Sequence, residues 1–119
     1  MKKILIIEDD EFLRSLAAKR LGQEGYTVLA AANGDEGLKL AESDKPDLIL
    51  LDLLLPGGLG GFEVLDKIHT SSKSLPVVIF SNLGEKADIE KAQKLGAKDF
   101  LIKANFTLDD VIVKVKGLL

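Results

Sequence analysis

Residues 46–61 read PDLILLDLLLPGGLGG. The run Leu48-Ile49-Leu50-Leu51 is too short for a helix and apolar on both faces. That is the pattern of a strand in a parallel sheet covered on both sides. Asp52 follows it, and the stretch from Pro56 to Gly61 reads as a glycine-rich loop. Working outward, the same pattern recurs. Ile4-Leu5-Ile6-Ile7, Tyr26 to Ala31, Pro76 to Phe80 and Phe100-Leu101-Ile102 read as four more strands. Pro76 stands at a first strand position, where a missing N–H is tolerated.

Helical patterns fill the intervals. From Asp10 to about Glu24, the residues Phe12, Leu13, Leu16, Ala17 and Leu21 recur at helical spacing. Asn33 with Glu36 three residues on predicts a capping box, and its helix runs to about Ser43. Further helices are expected from about Phe62 to Thr70 and from about Glu85 to Leu95, the latter stopped at Gly96. A last helix is capped by Thr107, with Asp110 three residues on. The pattern is (βα)₅, an α/β fold with a five-stranded parallel sheet and helices on both faces.

Composition narrows the function. The chain has 119 residues, the size of a single domain spanning residues 1–119 with no room for an output domain. Lys and Arg number 16 against 19 Asp and Glu, a net charge of −3, which gives no support to direct nucleic-acid binding. There is no cysteine and a single histidine, so thiolate catalysis, disulfides and multi-His metal sites are excluded. No apolar run approaches a membrane span. The acidic run Glu8-Asp9-Asp10-Glu11 ends any signal-peptide pattern early. A cytoplasmic protein is the expectation.

The informative residues are the polar ones at the carboxyl ends of the strands: Glu8 and Asp9, Asp52, Ser81 and Lys103. In an open α/β sheet this edge is where ligands bind. Three carboxylates crowded there repel one another, and a hard divalent cation with oxygen ligands, Mg²⁺ or Mn²⁺, relieves the repulsion. A carboxylate beside such an ion and a lysine ammonium is placed to accept a phosphoryl group, and a hydroxyl at Ser81 can donate to one of its oxygens. An aspartyl phosphate is a known kind of covalent intermediate.

The stretches ILIIEDDEFLR, PDLILLDLLLPGG, GFEVL, LPVVIFS and KLGAKDFLIK, in this order and each ending a strand or opening the element after it, resemble the response-regulator receiver domains of two-component signalling. The resemblance covers nearly the whole chain and implies a flavodoxin-like sheet in the order 2-1-3-4-5. It makes Asp52 the phosphoacceptor, Asp9 a direct Mg²⁺ ligand and Glu8 an acid acting through metal-bound water. It gives the backbone carbonyl of Leu54 to the metal. Ser81 becomes the hydroxyl that closes on the phosphoryl group, Lys103 its cationic partner, and Phe100 the switch aromatic. Phe100 as plain core packing is the competing reading, as are helix capping for Asp10 and a dipole-complementing end position for His69.

What the resemblance implies is a switch rather than a metabolic enzyme. A sensor histidine kinase or a phosphotransfer protein donates phosphate to Asp52. The face formed by helix 4, strand 5 and helix 5 then binds an unknown downstream protein differently. Leu54 and Leu83 occupy the positions that tune hydrolysis in such domains, and both are apolar, which implies a long-lived phosphate.

Three departures from the family pattern stand out. Ala104 replaces a cis proline after Lys103, which leaves a trans bond with a different loop or a strained cis bond costing about 3 kcal/mol. Asn82 replaces a small residue after Ser81, and the loop between Pro56 and Phe62 is one residue longer. Other functional classes remain at this point: a flavin carrier, against which the acidic run after strand one speaks; a phosphatase with an aspartate nucleophile, which wants an acid where Leu54 stands; and a degenerate receiver acting only as a protein-binding module.

Overall fold

The four apolar residues before Asp52 form strand β3 (Leu48–Leu51), and every one of them is buried. Our computed structural model describes residues 1–119. In chain order the elements are β1 (Lys3–Ile7), α1 (Glu11–Gln23), β2 (Thr27–Ala31), α2 (Gly34–Asp44), β3, α3 (Gly61–Ser71), β4 (Val77–Ser81), α4 (Lys86–Lys94), β5 (Asp99–Ile102) and α5 (Leu108–Leu118). All strand pairs are parallel, and the sheet order is β2-β1-β3-β4-β5, as the resemblance implied.

Alternate residues of the central strands feed two cores. Ile4, Ile6, Leu48, Leu50, Val78 and Phe80 pack under α1 and α5. Leu5, Ile7, Ile49, Leu51, Val77 and Ile79 pack under α2, α3 and α4. Burial on both faces is why these strands carry unbroken apolar runs. On the outer side of the first core, Arg20 pairs with Asp109 and Lys116 with Glu24, so two ion pairs of opposite polarity tie α1 to α5.

The helix ends follow from their caps. Asp10 accepts from the Leu13 N–H, which confirms it as the α1 cap. Asn33 accepts from the Glu36 N–H, yet Glu36 returns no bond, so the expected capping box is half formed. At α5 the box is complete: Thr107 Oγ1 accepts from the Asp110 N–H, and the Asp110 carboxylate accepts from the Thr107 N–H. Gly96 ends α4 at a φ of 102°, a conformation glycine adopts at little cost.

Strand bounds shift: β1 begins at Lys3, β2 at Thr27 and β5 at Asp99, not at Ile4, Tyr26 and Phe100. β4 begins at Val77 rather than Pro76 and ends at Ser81, so Ser81 lies inside the strand instead of following it. The reason is the ladder to β5: Ser81 stands opposite Ile102, and its carbonyl accepts from the Lys103 N–H. The Lys103–Ala104 peptide is trans, since the chain holds no cis bond.

Candidate functional site

β1, β3, β4 and β5 are consecutive in the sheet, so their carboxyl ends line one edge. Glu8 and Asp52 are each 4% exposed, and Ser81 is fully buried. Carboxylate oxygens of Glu8, Asp9 and Asp52 all lie within 4.8 Å of one another. Lys103 reaches across from the end of β5. Its ammonium lies 2.6 Å from Glu8 Oε1 and 2.8 Å from Asp52 Oδ2.

Each buried acid is held at both oxygens. Asp52 Oδ1 accepts from the Leu54 N–H, and Glu8 Oε2 accepts from the Asp10 N–H. Asp9, exposed at the rim, has a carboxylate with no protein partner. Burial pushes the Glu8 carboxyl up to about 7; the bonds from Lys103 and the Asp10 N–H pull the other way, and the Asp52 charge adds to the rise. Burial alone would lower the Lys103 ammonium, but its bonds to Asp52 and Glu8 outweigh that and raise it. One cation thus serves two buried anions, which is why the ammonium is stabilised while one carboxylate remains undercompensated.

Below Lys103 lies the ring of Phe80, its centroid 5.9 Å from the ammonium. Ser81 Oγ accepts from the Leu83 N–H at 3.3 Å, leaving its own proton free to donate. Leu54 is half exposed on the loop after β3, and Leu83 is half-buried after β4. Phe100 is half-buried against the core beneath α3 and α4, opposite Ile79, and does not join the polar cluster. His69 lays its ring against Gly96, where a Cβ would come within 2.3 Å of it. The loop after β3 is clamped from two sides. A Cβ on Gly61 would come within 2.3 Å of Leu53 Cα, and one on Gly34 within 2.7 Å of the Leu59 carbonyl oxygen.

Arg14, which bonds the Glu8 and Asp9 carbonyls, Phe80, Gly34 and Gly61 support the site without having been assigned a role from the sequence. For Gly61 the glycine-rich loop was the signal but not its target; Gly34, at the start of α2, gave none. A groove of about 850 Å³ opens at the opposite edge, between the C-terminal ends of α2 and α3. It gathers none of these groups. No helix is long and apolar enough to cross a membrane.

The family profile described as "Response regulator receiver domain" matches residues 4–116. The alkaline phosphatase synthesis transcriptional regulatory protein PhoP of Bacillus subtilis is 37% identical over 118 residues, which cover 99% of this chain and 48% of that protein. The chain likewise spans 45% of the transcriptional regulatory protein AfsQ1 of Streptomyces coelicolor, so it covers about half the length of these relatives. Sporulation initiation phosphotransferase F of B. subtilis is 34% identical, with 99% of this chain and 94% of that protein covered. Among solved structures, a CheY-like response regulator receiver domain from Methanospirillum hungatei superposes with a TM-score of 0.93 at 28% identity, covering 98% of this chain and 92% of that one. With the sheet order, the acid cluster and these likenesses together, the chain belongs to the response-regulator receiver-domain family of two-component signalling.

Proposed function

We propose that the domain is a phospho-accepting switch whose acceptor is Asp52. One observation carries the reading: a buried carboxylate fixed at Oδ1 by a backbone N–H and at Oδ2 by Lys103, with Glu8 and Asp9 beside it. The donor set fits a hard divalent cation. All three side chains offer carboxylate oxygens, and Asp9 has no competing protein partner. Glu8, Asp9, Asp52 and the Leu54 carbonyl are the groups that would hold Mg²⁺ or Mn²⁺. A bound ion would supply charge neutralisation for the transferring phosphoryl oxygens.

The chain's own groups do the rest. An Asp52 oxygen attacks the phosphorus of a phosphohistidine donor; the new O–P bond forms as the N–P bond breaks, and the released imidazole takes up a proton. Lys103 is placed to neutralise a phosphoryl oxygen, and the free Ser81 proton to bond another. Leu54 and Leu83 give attacking water nothing to lean on, so the phosphate persists. The domain catalyses its own phosphorylation and slow dephosphorylation and is not otherwise an enzyme.

A sensor histidine kinase or a phosphotransfer protein is the donor. Exposed apolar side chains at Phe12, Leu54 and Phe106, on three loops or helix starts of this same edge, suit a protein donor. The output passes from Ser81 and Phe100 to the face of α4, β5 and α5, where a downstream protein binds. The mild net charge of −3 speaks for a protein rather than nucleic acid, and no membrane contact is needed. We place this single domain, residues 1–119, in the cytoplasm. Incubation with acetyl phosphate and Mg²⁺ tests the core of the reading. A mass gain of one phosphate is expected for the native chain and none for Asp52→Asn; no gain in the native chain refutes it.

A further inference from the structure

The carbonyls of Glu8 and Asp9 face an unusual partner. In the loop between β1 and α1 no backbone N–H bonds to either oxygen. Arg14, half-buried on α1, takes both: its Nη1 donates to Glu8 O at 2.9 Å and to Asp9 O at 3.2 Å. The same short segment is fixed elsewhere as well. The Glu8 N–H donates to the Ala31 carbonyl, and the Asp10 side chain caps α1. With these bonds in place, the Asp9 carboxylate is left without a protein partner.

We infer that Arg14 is a positioning residue, holding the two carbonyls so that the Glu8 and Asp9 carboxylates are preset for a divalent cation. The inference rests on the metal-site reading above, and its sign separates it from simpler roles. A guanidinium near a cation site repels the cation, so a residue acting by charge alone weakens binding, and its removal tightens binding. A residue acting by position does the reverse. Two carbonyls without a donor let the loop sample other conformations, and cation affinity falls by the roughly tenfold typical when an outer support of a metal ligand is lost.

Arg14→Met is the informative variant, because it keeps much of the apolar stem while removing charge and donors. Arg14→Lys, which retains the charge, guards against a folding defect in the first. Mg²⁺ titrated calorimetrically should bind Arg14→Met about tenfold more weakly than the native chain. In the metal-free variant, amide exchange at Glu8 and Asp10, whose N–H groups are bonded, should quicken while that in β3 and α3 stays unchanged. Arg14→Lys should fall between the two on both readouts. Tighter or unchanged Mg²⁺ binding by Arg14→Met overturns the assignment, and so does unchanged exchange in that loop. A native chain that binds no Mg²⁺ defeats the metal-site reading instead, and the exchange measurement then decides the role of Arg14 on its own.

Discussion

Lys103 stands between Glu8 and Asp52, 2.8 Å from Asp52 Oδ2, with its second bond committed to Glu8 Oε1. Two buried negative charges therefore compete for one positive charge. Relief of that competition should show as stability. Asp52→Asn keeps the shape and an amide oxygen while removing one anion, and we expect the metal-free protein to gain about 1 kcal/mol, as is common when a functional site is disarmed. Thermal unfolding with and without Mg²⁺ checks it: the ion should stabilise the native chain and leave the variant nearly unaffected.

Phosphate lifetime follows from Leu54 and Leu83. Neither side chain can orient water, and the Leu83 N–H is already given to Ser81 Oγ. Once labelled at Asp52, the isolated domain should lose phosphate far more slowly than seconds. Leu54→Asn with Leu83→Glu should speed the loss by about tenfold or more, by positioning the attacking water. Decay in seconds from the native chain would contradict this.

Two glycines should respond to a methyl group in opposite directions. Nothing lies within 4 Å of a Cβ built at Gly22 on α1, so Gly22→Ala should stabilise by about 0.5–1 kcal/mol through helix propensity and a stiffer unfolded chain. A Cβ at Gly61 meets Leu53 backbone at 2.3 Å. Gly61→Ala should cost about 1–3 kcal/mol or more, because backbone has to move. Denaturant midpoints of the two variants check the signs.

The Asp99–Lys114 pair gives a pH signature away from the site. Burial raises the Asp99 carboxyl, but the Lys114 ammonium at 2.7 Å and the Phe100 N–H outweigh it and hold it below 3.8. A depressed acid contributes stability above its ordinary value and loses it as pH falls through the folded value. Lys114→Met should cost about 0.5 kcal/mol at pH 7, as exposed pairs do. The difference from the native chain should shrink as pH drops through 3.8 and below, read from urea midpoints at several pH values.

Much of this molecule was legible in its residues. Apolar runs buried on both faces announced the strands, and acids at strand ends announced the site, because a polar side chain there violates the pattern of the run before it. Boundaries were less legible. Ser81 belongs to β4 because of its pairing with Ile102, a partner the linear sequence does not display. Arg14 was silent for a stronger reason. An arginine on a helix looks like any solvated charge, and its meaning lies in two carbonyl oxygens five and six residues before it, which no side-chain pattern displays. Gly61 signalled a loop, but its tight seat on Leu53 is a tertiary fact.

The strand order has one more consequence, for synthesis. Lys103 follows Asp52 by 51 residues, so a ribosome adding roughly 5–20 residues per second delivers the cation about 3–10 s after the carboxylate. During that interval β1 and β3 can pair and bring Glu8, Asp9 and Asp52 together with no ammonium between them. The anionic cluster can therefore be balanced only once β5 has docked. Closure of the sheet's last edge and charge balance at Asp52 are the same event.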